Sequence, residues 1–387
     1  MAVTLLVTDR NLNVLGDPLS DWSNLEASLN FNEPAAGAVT LPAYPATMQL
    51  LVPGNRLVVI RDGDIWCAGP MEVPDSFEWD LDSNADPGVV TCQFSDDLAR
   101  VAGYLTYPDP THVFSAQDPD GTVVRTISST SAEVIIRTLV NENCGPGALA
   151  ARRIEQLVLD TVAGVGSTTA ISTRFEALLD VARTLAAPDA LGFRTRQVGT
   201  EIRFGVYAPV DRTRTARFSA ELGNLRSVSR ARTAPLATSE LVQGGDPSSA
   251  AGVYVEVTSG AAATWYRVEK LQDQTGVADD VEGELTQAGT TALVDDGVQV
   301  ALSTVTVDTD QLKAGRDYGL GDRVTVVLPR TGEEVADVVR TITLQAEPDT
   351  GEVVTSVIGT GTQTTASAAT RTLRELGRKV ARLETRR

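Results

Sequence analysis

Histidine occurs once in 387 residues, cysteine three times, and aromatic residues make up only 5% of the chain. Each scarcity removes a class of function. His112 lies in the loop-like stretch "DPTHVFSAQDPDG" and is the sole candidate for a histidine-dependent nucleophile or general base. No G-x-S-x-G elbow accompanies it, so it reads as a loop histidine without a catalytic role. Cys67, Cys92 and Cys144 are odd in number, widely spaced and without partner histidines. They point to neither a disulfide framework nor a zinc site, and the expectation is three buried or half-buried thiols in a reducing cytoplasm. Trp22, Trp66, Trp79 and Trp265 are scattered, which weighs against the aromatic platform of a sugar-binding surface. No apolar run nears the ~20 residues that span a bilayer. The N-terminal "MAVTLLVTDRNLNVLGD" lacks the basic segment and apolar core of a signal peptide. Synthesis in the cytoplasm without membrane insertion is the expectation.

What is present is acid. Fifty-one Asp and Glu against 33 Lys and Arg leave a formal charge of −18. Such a surface repels phosphates, so general nucleic-acid binding is disfavoured. Acidity still suits a protein that DNA must pass without sticking. The 42% hydrophobic and 22% charged residues are ordinary for a globular chain with room for two or three domains.

Short β-branched runs dominate the first hundred residues: "TLLVTD", "RLVVIRDG", "IWCAGPMEV" and "GVVTCQF". Arg61-Asp62-Gly63-Asp64 is a hairpin signal, because Asp-Gly supplies the positive φ angles of a tight turn. Two helices are predicted next. The first covers Ser131 to Asn143, with Thr130 and Glu133 at capping-box spacing and Gly145 past its end. The second covers Thr173 to Ala187, with Thr173 and Glu176 spaced alike, Leu178, Leu179, Ala182 and Leu185 on one face, and Pro188 as its stop. From Arg217 to Thr360 strands return without a convincing long helix. "GTGTQTTASAAT" reads as a linker. Beyond it, "RTLRELGRKVARLETRR" sets Leu373, Leu376, Val380 and Leu383 at spacings of 3, 4 and 3. Seven basic and two acidic residues give this segment +5, leaving −23 for the rest. It reads either as a solvated terminal helix or as an oligomer-axis or partner-docking helix.

Gly319-Leu320-Gly321-Asp322-Arg323-Val324 comes within one residue of a glycine-rich phosphate loop. It opens a strand, however, whereas a dinucleotide loop opens a helix whose N–H groups face the phosphates. No Gly-Lys-Ser/Thr follows, and no kinase-type partner motifs occur later. The stretch instead echoes another. Gly54-Asn55-Arg56 and Gly321-Asp322-Arg323 each precede an apolar strand, a turn and a second strand, 267 residues apart. The choice is between chance likeness of two hairpins and a duplicated β-barrel. Paired acids at Asp279-Asp280, Asp295-Asp296 and Glu333-Glu334 sit beside turn residues, and strand neighbours point to opposite faces, so convergence on a substrate is not indicated. Asp118-Pro119-Asp120-Gly121 lacks the twelfth-position ligand of a calcium loop and reads as turn chemistry.

A resemblance emerges from an ordered set of stretches over about residues 20 to 360: "FNEPAAGAVTLPA", "LLVPGNRLVVIRDGDIWCAG", "GFRTRQVGTEIRFGVYAPVDRT", "RFSAELGNL", "WYRVEK", "AGRDYGLGDRVTVVLP" and "TSVIGTG". The set resembles the hub proteins at the tip of long-tailed phages, in particular the actinophage minor tail protein family, which is similar to the baseplate hubs of contractile tails. The resemblance implies a mainly β fold with an inserted α+β unit and two tail-tube-like β-barrel domains. The expected boundaries are 1–105 for the first barrel, 106–215 for the α+β insert, 216–243 with 291–360 for the second barrel, 244–290 for a β-rich insertion, and 361–387 for the linker and basic helix. It also implies a homotrimer whose six barrels form a pseudo-sixfold ring beneath the tail tube. Implied partners are distal tail or tube proteins, a tape-measure protein and tail fibres or receptor-binding proteins. DNA would pass through the ring unbound, and neither an enzyme activity nor a cofactor is implied. "DPSSAAGVYVEVTSGAAA" has no assigned strand partner, and the basic C-terminal segment has no counterpart in the family pattern. A β-rich glycan-binding adhesin and the hub of a contractile injection system are the competing readings.

Overall fold

The structure is a computed structural model that describes residues 3–72, 76–79, 87–245, 252–274, 283–297, 299–348 and 351–359. The chain is mainly β and divides into two compact units. One is built from residues 1–227 and 305–358, the other on residues 228–304.

In the first unit the expected hairpin forms. Strands Arg56–Arg61 and Asp64–Pro70 pair antiparallel around Asp62 (φ 55°) and Gly63 (φ 90°), the backbone that Asp-Gly favours. Val3–Thr8 and Val14–Leu19 complete a four-stranded sheet in which Leu5, Leu57 and Val59 are fully buried. A second sheet of eight strands joins the two ends of the chain. Its central member, Glu334–Glu347, is fourteen residues long and takes part in three ladders. Residues 334–338 pair with Arg323–Val327, while 341–346 pair with Asn24–Asn30 on one side and Gly351–Ile358 on the other. Among the described residues no sheet closes on itself as a barrel.

The α+β insert is built on an apolar core in which Ile135, Ile136, Leu139, Leu178, Phe193 and Phe204 are buried together, joined by Leu12, Leu98 and Val101 from the preceding residues. Both helices lie where periodicity places them, but neither capping box forms. Helix Ala132–Asn143 is capped by Ser131, whose Oγ accepts from the Val134 N–H at 3.4 Å. Thr130 stands one residue too early, because the strand runs through Ser131 and the helix begins at Ala132. Glu133 turns away, fully buried, and accepts the N–H groups of Ala163 (2.6 Å) and Val165 (2.9 Å). The second helix is Leu178–Ala186, shorter at its start than expected. Thr173 ends a strand, and its hydroxyl donates to Glu176 at 2.6 Å, clamping a strand-to-helix turn. The insert meets the eight-stranded sheet at Asn32, a left-handed turn residue (φ 58°). Its amide donates to the Leu191 carbonyl (2.9 Å) and accepts from Phe193 N–H (2.8 Å).

In the second unit, strand Ser239–Gly244 is flanked by Val253–Thr258, antiparallel, and Glu269–Asp273, parallel. The stretch left without a strand partner in sequence thus finds one, with Val255 opposite Val242. Helix Glu284–Asp296, thirteen residues long, corrects the expectation that this region lacks a long helix. Its sequence "ELTQAGTTALVDD" carries three Thr, two Asp, a Val and a Gly, weaker helix formers that hide it from propensity. Gly289 has a packing reason: a Cβ there would stand 2.6 Å from Val257 and 2.8 Å from Val242. This unit is broader than the 244–290 insertion expected from sequence. Asp279-Asp280 and the linker and basic segment of 361–387, including Leu373, Leu376, Val380 and Leu383, lie outside the described residues.

Candidate functional site

The two corners that share a sequence grammar also share a backbone. In the first, Asn55 N–H donates to the Val52 carbonyl at 3.2 Å and Gly54 has φ 89°. In the second, Asp322 N–H donates to the Gly319 carbonyl, also at 3.2 Å, and Gly321 has φ 84°. A positive φ at the third position of a hydrogen-bonded four-residue turn is the type II arrangement that calls for glycine. The match continues into the hairpins. Arg56 pairs with Pro70 and Arg323 with Val338. One residue on, Met71 N–H donates to Asn55 O (3.1 Å) and Val339 N–H to Asp322 O (3.0 Å).

The side chains diverge. Arg56 is 2% exposed and grips Asp97 through two nitrogens, Nε to Oδ1 at 3.1 Å and a short Nη2 contact to Oδ2, while Nη1 donates to Thr8 Oγ1 at 3.0 Å. At the second corner the arginine is exposed and the acid is buried. Asp322 accepts from Gly319 N–H (2.9 Å), Val210 N–H (2.8 Å) and Arg212 Nε (2.9 Å). Asp97 was invisible to motif reading. The available signal was the position of Arg56 at the head of an apolar strand, where a buried guanidinium needs an acid.

These bonds decide the phosphate-loop question. The N–H groups of Gly319, Gly321, Asp322 and Arg323 donate to Asp322 Oδ2 and to the carbonyls of Val339, Gly319 and Val210. A loop whose donors are committed and whose centre carries a carboxylate is no cradle for an anion.

The remaining candidates fall apart spatially. His112 is exposed, with Nδ1 2.8 Å from Asp109 Oδ2 within its own loop. Asp118 spends its carboxylate on Asp120, Thr122 and Val123, and the three backbone N–H groups together with the Thr122 hydroxyl hold its pKa down at about 2. Glu334 pairs with Arg217 and Asp296 with Lys270. Cys67, Cys92 and Cys144 are buried free thiols, and burial pushes Cys92 up to about 11 and Cys144 to about 12. Among the described residues no cluster of His, Cys, Asp or Glu could hold a metal ion, and no helix is long and apolar enough to cross a membrane.

Beside the Arg56–Asp97 pair, Asp96 is desolvated, and burial, with the Asp97 charge adding to it, pushes its carboxyl up to about 7. A carboxyl whose folded pKa lies above its ordinary 3.8 favours the fold while protonated. Its contribution is therefore greatest below about pH 4 and is lost as pH rises through about 7. Asp96→Asn removes that loss and keeps an acceptor for the Ala35 N–H (3.1 Å). The expected result is a variant that matches the parent near pH 4 but exceeds it at pH 8 by on the order of 2–4 kcal/mol, read from urea midpoints. Equal stabilities at pH 8 would refute the assignment.

A family profile described as "Siphovirus ReqiPepy6 Gp37-like protein" matches residues 4–360, and the chain belongs to this siphovirus tail protein family. No curated protein matches by sequence. Among solved structures it is similar to the 43 kDa tail protein of prophage MuSo2 from Shewanella oneidensis, with TM-score 0.58 and 12% identity over 92% of this chain and 97% of that one. The tail protein from Neisseria meningitidis MC58 gives TM-score 0.55 at 12% identity, covering 92% and 96%. Prophage tail protein gp18 from Listeria monocytogenes EGD-e gives 0.53 at 12%, covering 97% and 99%. At these identities the likeness is one of fold.

Proposed function

We propose that the chain is a structural hub subunit of the phage tail tip, three copies of which form a ring of pseudo-sixfold symmetry that extends and caps the tail tube. The observation that carries this reading is the pair of corners at Gly54 and Gly321. One chain contains the same turn-and-hairpin twice, which is what a threefold assembly needs to present six related positions to a sixfold tube. Membership of a siphovirus tail protein family supports a place in the virion tail, and the tip is the part where such a change of symmetry is required. In this reading the two corners mark equivalent positions of two tube-like β domains. The ring joins distal tail or tube proteins and the tape-measure protein above to fibres or receptor-binding proteins below. A charge of −18 suits a channel that DNA traverses without binding, because like charge forgoes the counterion release that drives adhesion.

Mass photometry of the purified protein is expected to give a species three times the chain mass, and imaging of the particle a threefold ring at the tube end. A lumen lined mainly by Lys and Arg would defeat the channel reading. A monomer that binds glycans on an array would favour a surface adhesin instead.

A further inference from the structure

Alternate side chains of strand Ser239–Gly244 share one face of the second unit's sheet. Val242 is on the face that helix Glu284–Asp296 covers, as the approach of Gly289 to Val242 and Val257 shows. Two residues earlier on that face stands Glu240, 0% exposed and level with Lys270 on the parallel neighbouring strand. Neither carboxylate oxygen of Glu240 makes a hydrogen bond of full geometry, although Gln272, Asp296 and Lys270 all stand close enough to set its acidity. Burial, with the Asp296 charge adding to it, pushes the carboxyl up to about 7 against the pull of Gln272 and the Lys270 ammonium.

Asp296 closes the helix. Its carbonyl accepts the N–H groups of Leu236 (2.7 Å) and Ala237 (3.2 Å), which fix it against the approach to strand Ser239–Gly244. Its side chain meets Lys270, with Nζ 2.6 Å from Oδ2. A carboxylate at the C-terminus of a helix faces the negative end of the helix dipole. Asp296 is also only 7% exposed, so desolvation and dipole both favour an uncharged derivative of it. Arg267 is engaged elsewhere, by Glu256 and Glu269.

We propose that Lys270 and Asp296 condense to an isopeptide bond, with Glu240 carrying the proton for the reaction. The ion pair first passes one proton from Nζ to Oδ2, because a neutral pair avoids the cost of two desolvated charges. The amine lone pair then attacks Cγ of Asp296. Glu240 gives its proton to the departing oxygen and takes one back from the nitrogen. The Nζ–Cγ bond forms and one Cγ–O bond breaks, so ammonium and carboxylate become an amide and one water. No oxidant, cofactor or further reactant is needed. Groups held together by a fold react at effective concentrations of about 10⁵–10⁸ M, and burial keeps water from reversing the step. The Lys270 side chain, 30% exposed, leaves the released water a way out. The bond ties strand Glu269–Asp273 to the end of the helix in whatever assembly the chain enters.

Mass spectrometry of the denatured full-length chain tests the proposal, and the expected mass is one water below that of the sequence. No Lys or Arg lies between Lys270 and Lys313, so trypsin should release 268–313 as a single peptide, uncut at Lys270 and one water light. Without the bond it releases 268–270 and 271–313. Lys270→Arg and Asp296→Ala are expected to show the full mass. Glu240→Gln keeps the shape of the side chain but cannot carry the proton, and it should lose the link while its circular dichroism matches the parent. The bond is read from the parent itself and so depends on no variant folding. A parent of full mass, cut at Lys270, overturns the proposal. Water loss that persists in Lys270→Arg would place it at a succinimide of Asp296 and Gly297 and overturns it equally. A linked Glu240→Gln overturns the role given to Glu240.

Discussion

Asp97→Ala is expected to destabilise the first unit by about 3–5 kcal/mol, the range for removing one partner of a buried ion pair. The side chains of Arg56 and Asp97 are each 2% exposed, so water cannot take the place of the lost carboxylate. The two single substitutions are not equivalent. Without Arg56, Asp97 can take up a proton, since burial already pushes its carboxyl up against the opposing pull of the guanidinium. Without Asp97, the guanidinium keeps its hydrogen bond to Thr8 but loses its carboxylate partner and has no comparable escape, because arginine keeps its charge. Arg56→Met should therefore cost less than Asp97→Ala, and the double variant Arg56→Met with Asp97→Leu should recover most of the loss. Urea unfolding followed by tryptophan fluorescence reads all three. Additive costs in the double variant would show that the pair is not energetically coupled.

The second large effect separates the two corners. Gly54 and Gly321 both have positive φ, which strains any other residue by about 1–2 kcal/mol. A Cβ at Gly54 meets nothing within 4 Å, whereas at Gly321 it would lie 2.4 Å from Phe31 Cε2 and 2.8 Å from Pro209 Cγ. Overpacking adds a further ~1–3 kcal/mol at the second corner alone. Gly321→Ala is thus expected to cost about 2–5 kcal/mol and Gly54→Ala about 1–2. Thermal unfolding of the two variants side by side checks the asymmetry, and equal shifts would mean that Phe31 and Pro209 yield freely.

Local signals were legible where backbone chemistry is local. Asp62-Gly63 announces its hairpin, Pro188 bounds its helix, and Gly54 and Gly321 announce matching turns because glycine is what a positive φ requires. Signals that depend on where a strand ends misled. Thr130-to-Glu133 and Thr173-to-Glu176 have the spacing of caps, yet the first helix is capped by Ser131, the second starts only at Leu178, and Glu133 serves a loop thirty residues away. Helix Glu284–Asp296 was unreadable because its stability comes from a glycine pressed onto a sheet, a tertiary contact that propensity does not carry. The site was legible as a pattern but not in its chemistry. Gly-Asn-Arg and Gly-Asp-Arg look alike, but the first corner buries both Asn55 and Arg56, whereas the second buries Asp322 and leaves Arg323 exposed. Whether the arginine turns inward depends on partners, Asp97 at the first corner and Arg212 on the aspartate of the second, that lie far away in sequence.

The ladder between Asn24–Asn30 and Glu334–Glu347 has a consequence in time. Ser28 and Thr343 share a hydrogen bond of 2.8 Å across 315 residues of chain. At a synthesis rate of about 5–20 residues per second, the early strand waits on the order of 15–60 s for its neighbour to be made. During that interval its pairing edge is open to other chains, as unpaired strands are. The α+β insert, most of whose core residues lie between Ala132 and Val206, can form while the ribosome is still at work. Completion of the eight-stranded sheet is then the last event, and weaker induction during expression should raise the yield of correctly folded chains by lowering the concentration of waiting edges at any moment.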